Sequence, residues 1–355
     1  MAPLALGVDA ANLPRDRRGM GRYVRSVLHE FTTRLHDRVR VTLLVPDLLP
    51  RLVARRYVED LKGEVAVARR TQAGKLDLDV VWYPWNGMTW ESPVRSVATV
   101  HDVWPFVAPA PDPRVREREQ TQYRVMAERA SLIIAVSEFT KLEVVRHLGV
   151  DPQAIRVIPQ GVAAPLPVTA PARTGSRYIL FVGEVEPRKD IDTLLTAMTR
   201  LPSDVASKTS LVVVGRSHGL RARALPRITC DFIGEVEDDA RLAALYAGAA
   251  VFAFPSKYDG FGLPVLEAMS YGAPVVASDA ASIPEVGGAA ALYFPCGDAD
   301  ALAAALTRVL RDASLAEKMR AAGLVRAALF DEATRASRTL EALESVVSPK
   351  PVVTR

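Results

Sequence analysis

The chain has 355 residues, 49% apolar and 24% charged, with 45 Lys and Arg against 41 Asp and Glu and only two cysteines. That length exceeds one ordinary hydrophobic core and suits two domains of roughly 150 to 180 residues, and the composition leaves little room for long disorder. Cys230 and Cys296 have no CxxC pattern or His at ligand spacing, which disfavours a disulfide or zinc site and fits a reducing cytoplasm.

The N-terminal run MAPLALGVDAAN has no basic leader and reaches Asp9 too soon for a signal-peptide core. The longest apolar stretch, near 247–255, is shorter than the roughly 18 residues of a bilayer span, so neither export by that route nor integral membrane insertion is expected. The first 165 residues carry 24 basic against 19 acidic residues and the remainder 21 against 22, so the basic excess lies in the first half. Such a surface could meet anionic lipid, an acidic acceptor or nucleic acid. The basic segments 15–22 and 113–124 contain acidic residues and few aromatics, which favours solvated helix faces and disfavours nucleic acid. Peripheral contact with the inner membrane face stays open.

In chain order, short β-branched runs alternate with helical stretches: LALGVD (4–9), VRVTLLV (39–45), DVVWYP (79–84), SVATVH (96–101) and SLIIAV (131–136). This predicts a parallel sheet with crossover helices. The segment 163–176, AAPLPVTAPARTGS, has three prolines and no periodicity and reads as a linker. The alternation restarts with YILFVG (178–183), SLVVVG (210–215), ITCDFIG (228–234), AAVFAFP (249–255) and APVVAS (273–278). The expected organisation is an α/β protein with a Rossmann-like domain over 1–165, a linker at 166–176 and a second Rossmann-like domain over 177–330. A C-terminal helix at 331–347 lies beyond the second domain, and 348–355 forms a tail. Two such domains would face a cleft, with ligands at the carboxyl ends of their strands.

One loop stands out, FPSKYDGFGLPVLEAMSYGAPVVAS at 254–278. Asp259, Gly260 and Gly262 form a turn ahead of a helix predicted over 263–271. The glycines let backbone amides approach a ligand, and the helix start favours an anion. Asp259 and Glu267 can hold sugar hydroxyls, since each carboxylate oxygen accepts from a vicinal diol. The apolar residues around Glu267 imply a buried carboxylate that needs a partner. A second strand-turn-helix, FVGEVEPRKDIDTLL (181–195), places Arg188 and Lys189 where they can neutralise a diphosphate. In the first half, RRGMGRYVRSVL (17–28) sets Gly19 and Gly21 just ahead of a helix, with Val24 in place of the third glycine of a dinucleotide fingerprint. His101 ends a strand and is followed by Asp102, and Ser137 reads as a helix cap.

The 259–267 segment resembles the signature of glycosyltransferase family 4, retaining enzymes of GT-B fold, whose E-x7-E reads here as Asp259-x7-Glu267. The likeness spans nearly the whole chain and is specific in the second half. It implies that Asp259 contacts the donor sugar, Glu267 holds the nucleotide ribose, and Gly260, Phe261, Gly262 and Leu263 supply backbone contacts. The family's G-R-L-x-x-x-K turn is matched at Lys189, while Glu184 replaces the arginine and Arg188 stands near enough to compensate. The resemblance places Gly19, Gly21 and Arg22 toward donor phosphate or acceptor, and His101 against the transferred sugar with Asp102 on the acceptor side. It also places Gly234 to Val236 against the base, and Ser137 and Glu138 in the V-S-E-F turn, with Glu285 adjacent to the donor site. Likeness of GVDAAN, GMGRY and EPRK to mannosyltransferase-type members tilts the donor from a GDP- or UDP-sugar in general toward GDP-mannose. The expected reaction is metal-independent front-face displacement without a resident cofactor, completed by closure about the linker. A nucleotide-sugar epimerase, a catalytically silent binding subunit and a membrane-surface adaptor are the alternatives.

Overall fold

The computed structural model describes residues 2–16, 19–46, 57–58, 61–168, 177–216 and 229–347. Two compact units divide the chain, Met1–Gly161 together with Glu332–Arg355, and Val162–Asp331.

The first unit is built on seven parallel strands, β1 (Leu4–Asp9), β2 (Val39–Val45), β3 (Ala66–Arg69), β4 (Val80–Tyr83), β5 (Ser96–Val100), β6 (Leu132–Ala135) and β7 (Ile155–Val157). Their order is β3-β2-β1-β4-β5-β6-β7, so the winding reverses between β1 and β4. Helices α1 (Gly19–Thr33), α2 (Trp104–Val107), α3 (Pro113–Arg129) and α4 (Glu138–Leu148) accompany the sheet. Both faces are covered, which is why the strands read as nearly continuous apolar runs. Leu6, Val8, Leu43 and Trp82 pack with Val24, Leu28 and Phe31 of α1. Val81, Tyr83, Ala98 and Val100 cluster on the other face with Tyr123 and Met126 of α3. Ser137 caps α4 by accepting from the Thr140 amide at 2.9 Å, as its place in the sequence predicts.

The second unit holds β8 (Arg177–Val182), β9 (Thr209–Val214), β10 (Cys230–Gly234), β11 (Val251–Phe254), β12 (Val275–Ser278) and β13 (Ala291–Phe294), all parallel. The order β10-β9-β8-β11-β12-β13 reverses between β8 and β11. Its helices are α5 (Ile191–Thr199), α6 (Ser203–Ala206), α7 (Asp239–Gly248), α8 (Leu263–Ser270), α9 (Ile283–Gly287), α10 (Ala299–Arg311) and α11 (Ala313–Ala327). Ile179, Phe181, Leu211, Val213 and Val276 form one core with Leu194 and Met198 of α5 and Leu302, Leu306 and Val309 of α10.

The fold departs from the sequence expectation in three places. Strands β3, β7 and β13 were not among the predicted runs; each is three or four residues long, too short to give a periodic signal. The helix Glu332–Ser345, expected beyond the second domain, belongs to the first unit, because its buried stripe of Ala336, Leu340 and Leu343 completes the core around α1. The first unit ends at Gly161 rather than 165: Val162 bridges Asp331 and donates to the Phe330 carbonyl at 2.8 Å, and Leu166 donates to the Tyr271 hydroxyl at 3.2 Å. Within the predicted linker, 169–176 lie outside the described residues, as do Arg17, Arg18 and the tail 348–355. Among the described residues, no helix is long and apolar enough to cross a membrane.

Candidate active site

At the switch point of the second sheet, the loops after β8 and β11 are stitched together. The Lys257 amide donates to the Arg188 carbonyl at 2.7 Å, and the Ser256 hydroxyl donates to the same oxygen at 3.1 Å. Asp190 takes a left-handed backbone (φ 50°) between the turn 187–189 and α5. Its buried carboxylate accepts from Thr193 Oγ1 at 2.6 Å and pairs with Lys257 Nζ at 2.9 Å. Those contacts stabilise a conformation that costs a non-glycine residue about 1 kcal/mol or more. The consequence is the placement of Lys189, whose ammonium pairs with the Asp259 carboxylate and lies 5.2 Å from the centroid of the Phe254 ring. Sequence reasoning assigned Lys189 and Asp259 separate roles; the structure makes them a buried or nearly buried ion pair. Ser256, Lys257 and Asp190, which hold that pair in place, were not anticipated.

Beyond Asp259 the chain turns through Gly262, left-handed at φ 91°, into α8. Pro264 has no N–H, and the Val265 amide is bonded to the Gly262 carbonyl at 3.0 Å. The amides of Phe261, Gly262 and Leu263 bond to no group among the described residues, so the open amides lie in the turn itself more than along the helix. Ser282 Oγ donates to the Asp259 carbonyl at 2.8 Å and fixes the turn from α9. Glu267 is buried and finds the partner its surroundings require in Tyr246, whose hydroxyl donates to Oε2 at 2.9 Å. Tyr246 in turn stacks on Tyr271, with ring centroids 5.9 Å apart. Arg188, expected to compensate for Glu184, is tied to Glu186 at 2.6 Å.

Glycine follows the last residue of β8 and of β9 and is the last residue of β10. The Gly183 amide donates to the Val214 carbonyl at 2.9 Å, and the Gly215 amide donates to Gly234 at 2.8 Å. A Cβ on Gly215, whose φ is +130°, would sit 2.0 Å from the Gly183 carbonyl oxygen. Gly234 is left-handed (φ 74°) with open space where a side chain would stand, and Val236 is partly exposed in the segment that follows. Gly183 and Gly215 were missed, although the repetition of a terminal glycine in FVG, VVVG and FIG was the available signal.

The first unit's switch point is assembled differently. Asp9, at the end of β1, is buried and paired with Arg70 at 2.6 Å, and Trp85 Nε1 donates to its carbonyl at 2.6 Å. Burial pushes the Asp9 carboxyl above the ordinary 3.8 despite the opposing Arg70 guanidinium. Neither Asp9 nor Arg70 was singled out in the sequence. Gly19 and Gly21, expected just ahead of a helix, lie inside the first turn of α1. Gly21 is buried, and a Cβ there would meet the Asp16 carbonyl oxygen at 1.8 Å, so close packing of the preceding turn demands this glycine; Gly19 is exposed and under no such constraint. Arg22 is exposed on the same helix. Asp102 Oδ1 accepts from the Trp104 amide at 3.1 Å and helps start α2.

His101 corrects the simplest expectation for a sugar contact. Its Nε2 lies 3.0 Å from the Pro84 carbonyl oxygen and its Nδ1 lies 3.1 Å from Gln160 Nε2. A carbonyl only accepts, so Nε2 carries the hydrogen and Nδ1 accepts from the Gln160 amide. Burial lowers the ring pKa below its ordinary 6.5, in keeping with this neutral form. One of these partners must give way before the ring can bond a ligand. Asn86, left-handed at φ 62°, accepts from the His101 amide through Oδ1 and secures the loop.

Two doubly wound parallel sheets, each with its polar groups gathered at a switch point, are the architecture of the GT-B fold. The sequence family Glycosyltransferase Family 4 matches residues 17–164, and Glycosyl transferases group 1 matches 168–325. The chain is 35% identical over 267 residues to the O-antigen chain mannosyltransferase B of Escherichia coli, covering 70% of each. It is 28% identical over 272 residues to the serotype-specific mannosyltransferase WbdA of Escherichia coli, covering 70% of this chain and 33% of that protein. Anabaena HepE, solved in complex with UDP-glucose, superposes with a TM-score of 0.72 at 18% identity, covering 96% of this chain and 99% of that one. The protein belongs to glycosyltransferase family 4 and is a hexosyltransferase.

Proposed function

We propose that the protein moves a hexose, mannose in our reading, from a nucleotide-diphospho-sugar to a hydroxyl of a glycan, glycolipid or small molecule with retention at the anomeric carbon. The observation that carries this reading is the Lys189–Asp259 pair set beside the open amides of the 261–263 turn, on strands flanking a switch point. A diphosphate arriving at that turn gains three amides and the Lys189 ammonium, while Asp259, exchanging its lysine partner for sugar hydroxyls, takes the hexose. Glu267, oriented by Tyr246, takes the ribose diol. Gly234 ends β10 and Val236 follows two residues on, and in this reading a flat base packs against their backbone. The likeness to the O-antigen mannosyltransferase favours mannose, and a UDP-glucose complex among the structural neighbours keeps the base open between guanine and uracil.

In this reading the acceptor oxygen attacks the face that the nucleotide leaves. The C1–O bond to the diphosphate breaks as the new glycosidic bond forms, and the acceptor proton passes to the departing phosphate oxygen. The charge that develops on the diphosphate meets fixed positive groups, so catalysis is electrostatic preorganisation. Lys189 supplies the main charge, with Arg188 available once released from Glu186. Among the described residues no three metal-ligating side chains converge, and the reading assigns the charge to these cations. A screen of UDP-, GDP-, ADP- and TDP-sugars, with the product anomer read by NMR and the assay repeated in EDTA, tests the proposal. It expects a single preferred GDP- or UDP-hexose, a retained anomer and turnover unchanged by chelation. An inverted product, or turnover lost in EDTA and restored by manganese, contradicts it.

A further inference from the structure

Several elements of the first unit close on the His101 ring. Tyr23 of α1 meets it edge-on, with centroids 4.8 Å apart and planes at 86°. Against the Tyr23 ring lies the Arg335 guanidinium, 4.9 Å from its centroid, carried by the first turn of the helix Glu332–Ser345. Arg335 is 3% exposed and also donates to Ser26 of α1. Pro84, following β4, faces Nε2, and Gln160, following β7, faces Nδ1. Among the described residues, the carboxylates of Asp102 and Asp16 favour the ring's cation and Arg335 opposes it.

This shell decides which way the Gln160 carboxamide is turned. If its oxygen faced Nδ1, that nitrogen would need a hydrogen, and because the Pro84 carbonyl already demands one on Nε2, the ring would have to be an imidazolium. Burial disfavours that charge, and Arg335 opposes it further. With the amide nitrogen facing Nδ1, both ring nitrogens are satisfied and the ring is neutral.

We propose that Gln160 is a positioning residue for the transfer, one that confines His101 to the neutral Nε2–H tautomer by donating to Nδ1. The inference rests on the reading of His101 as a group that contacts the transferred sugar. In this tautomer the ring, once Nε2 releases the Pro84 carbonyl, offers a sugar hydroxyl one donor, and it brings no positive charge toward an anomeric carbon that becomes cationic in the transition state. Gln160 does not touch the sugar itself.

Gln160→Glu reverses the polarity at Nδ1, because a carboxylate accepts where the amide donated. Histidine-selective 15N NMR at neutral pH is expected to show the wild-type ring as the pure Nε2–H tautomer and the Gln160→Glu ring as an imidazolium. The same variant should lose about tenfold or more in kcat with little change in donor KM, and recover activity as pH rises through the raised ring pKa. Gln160→Met, which fills the space without donating, carries the test if the charged variant does not fold; it should give mixed tautomers and a few-fold lower kcat. Ring resonances unchanged in both variants overturn the proposal. Altered ring resonances with wild-type kcat and pH profile overturn the positioning role, and His101→Ala assayed alongside separates the causes. Full activity in that variant sinks the sugar-contact reading itself, whereas lost activity confines the failure to Gln160.

Discussion

At the switch point of the second unit, opposite charges face each other at the ends of β8 and β11, next to backbone amides that bond to nothing among the described residues. At the first unit's switch point and the neighbouring end of β5, Asp9 is committed to Arg70 and both His101 nitrogens are satisfied internally. The former arrangement can exchange its partners for an anionic ligand. The latter is a set of buried bonds that fixes tautomers and loop geometry. In the proposed reading the two units divide the labour, the second supplying binding energy and charge and the first supplying position.

Removing the ammonium should break the comparison most severely if it is right. Lys189→Met is expected to lower kcat by roughly 10²- to 10³-fold, the cost of losing one preorganised charge-stabilising group. It should also lower stability, because a largely buried carboxylate loses its counter-ion, at about 3 kcal/mol. Steady-state kinetics and thermal melting of the same preparation check both. A variant with wild-type kcat would remove Lys189 from the chemistry.

The glycine edge of β8 to β10 is the next test. Gly215→Ala places a Cβ against the Gly183 carbonyl at a positive φ, so a loss of about 2 kcal/mol or more in stability is expected, read as a lower denaturation midpoint. Gly19→Ala, at an exposed position with nothing within 4 Å of the new Cβ, should leave stability within about 0.5 kcal/mol. Equal effects at the two sites would erase the distinction between a sterically required glycine and a permitted one.

The smallest effect concerns pH. The folded-state pKa of His101 is depressed below 6.5, so the unfolded chain binds the extra proton first as pH falls. The stability this group contributes is complete above 6.5 and is lost as pH drops from there through the folded value, with a slope of at most about 1.4 kcal/mol per pH unit. Subtracting the melting profile of His101→Gln from that of the wild type isolates the slope. An unchanged profile would show that the ring is not held neutral.

The long strands were legible because a sheet covered on both faces requires unbroken apolar runs, and β1 and β2 match their predicted boundaries residue for residue. The 254–267 segment was legible for a local reason: its glycines, its acidic residues and the helix behind them are consecutive in the chain. Contacts between distant residues were not readable. Glu267 announced a need for a partner, but nothing in the sequence pointed to Tyr246, and the same holds for Gln160 against His101 and Arg70 against Asp9. The return of the last helix to the first unit was hidden too, because its apolar stripe fits any complementary surface and only the assembled core identifies α1 as that surface.

Calorimetry of nucleotide binding tests most directly the claim that the second unit holds the donor through Glu267 and the 259–263 turn. Titrating GDP and UDP into the wild type, Glu267→Gln and Gln160→Met should show one nucleotide bound by the wild type and the same affinity in Gln160→Met. Affinity in Glu267→Gln should fall at least about tenfold, as expected when a charged acceptor of a ribose diol is neutralised. Undiminished affinity in Glu267→Gln would contradict the account.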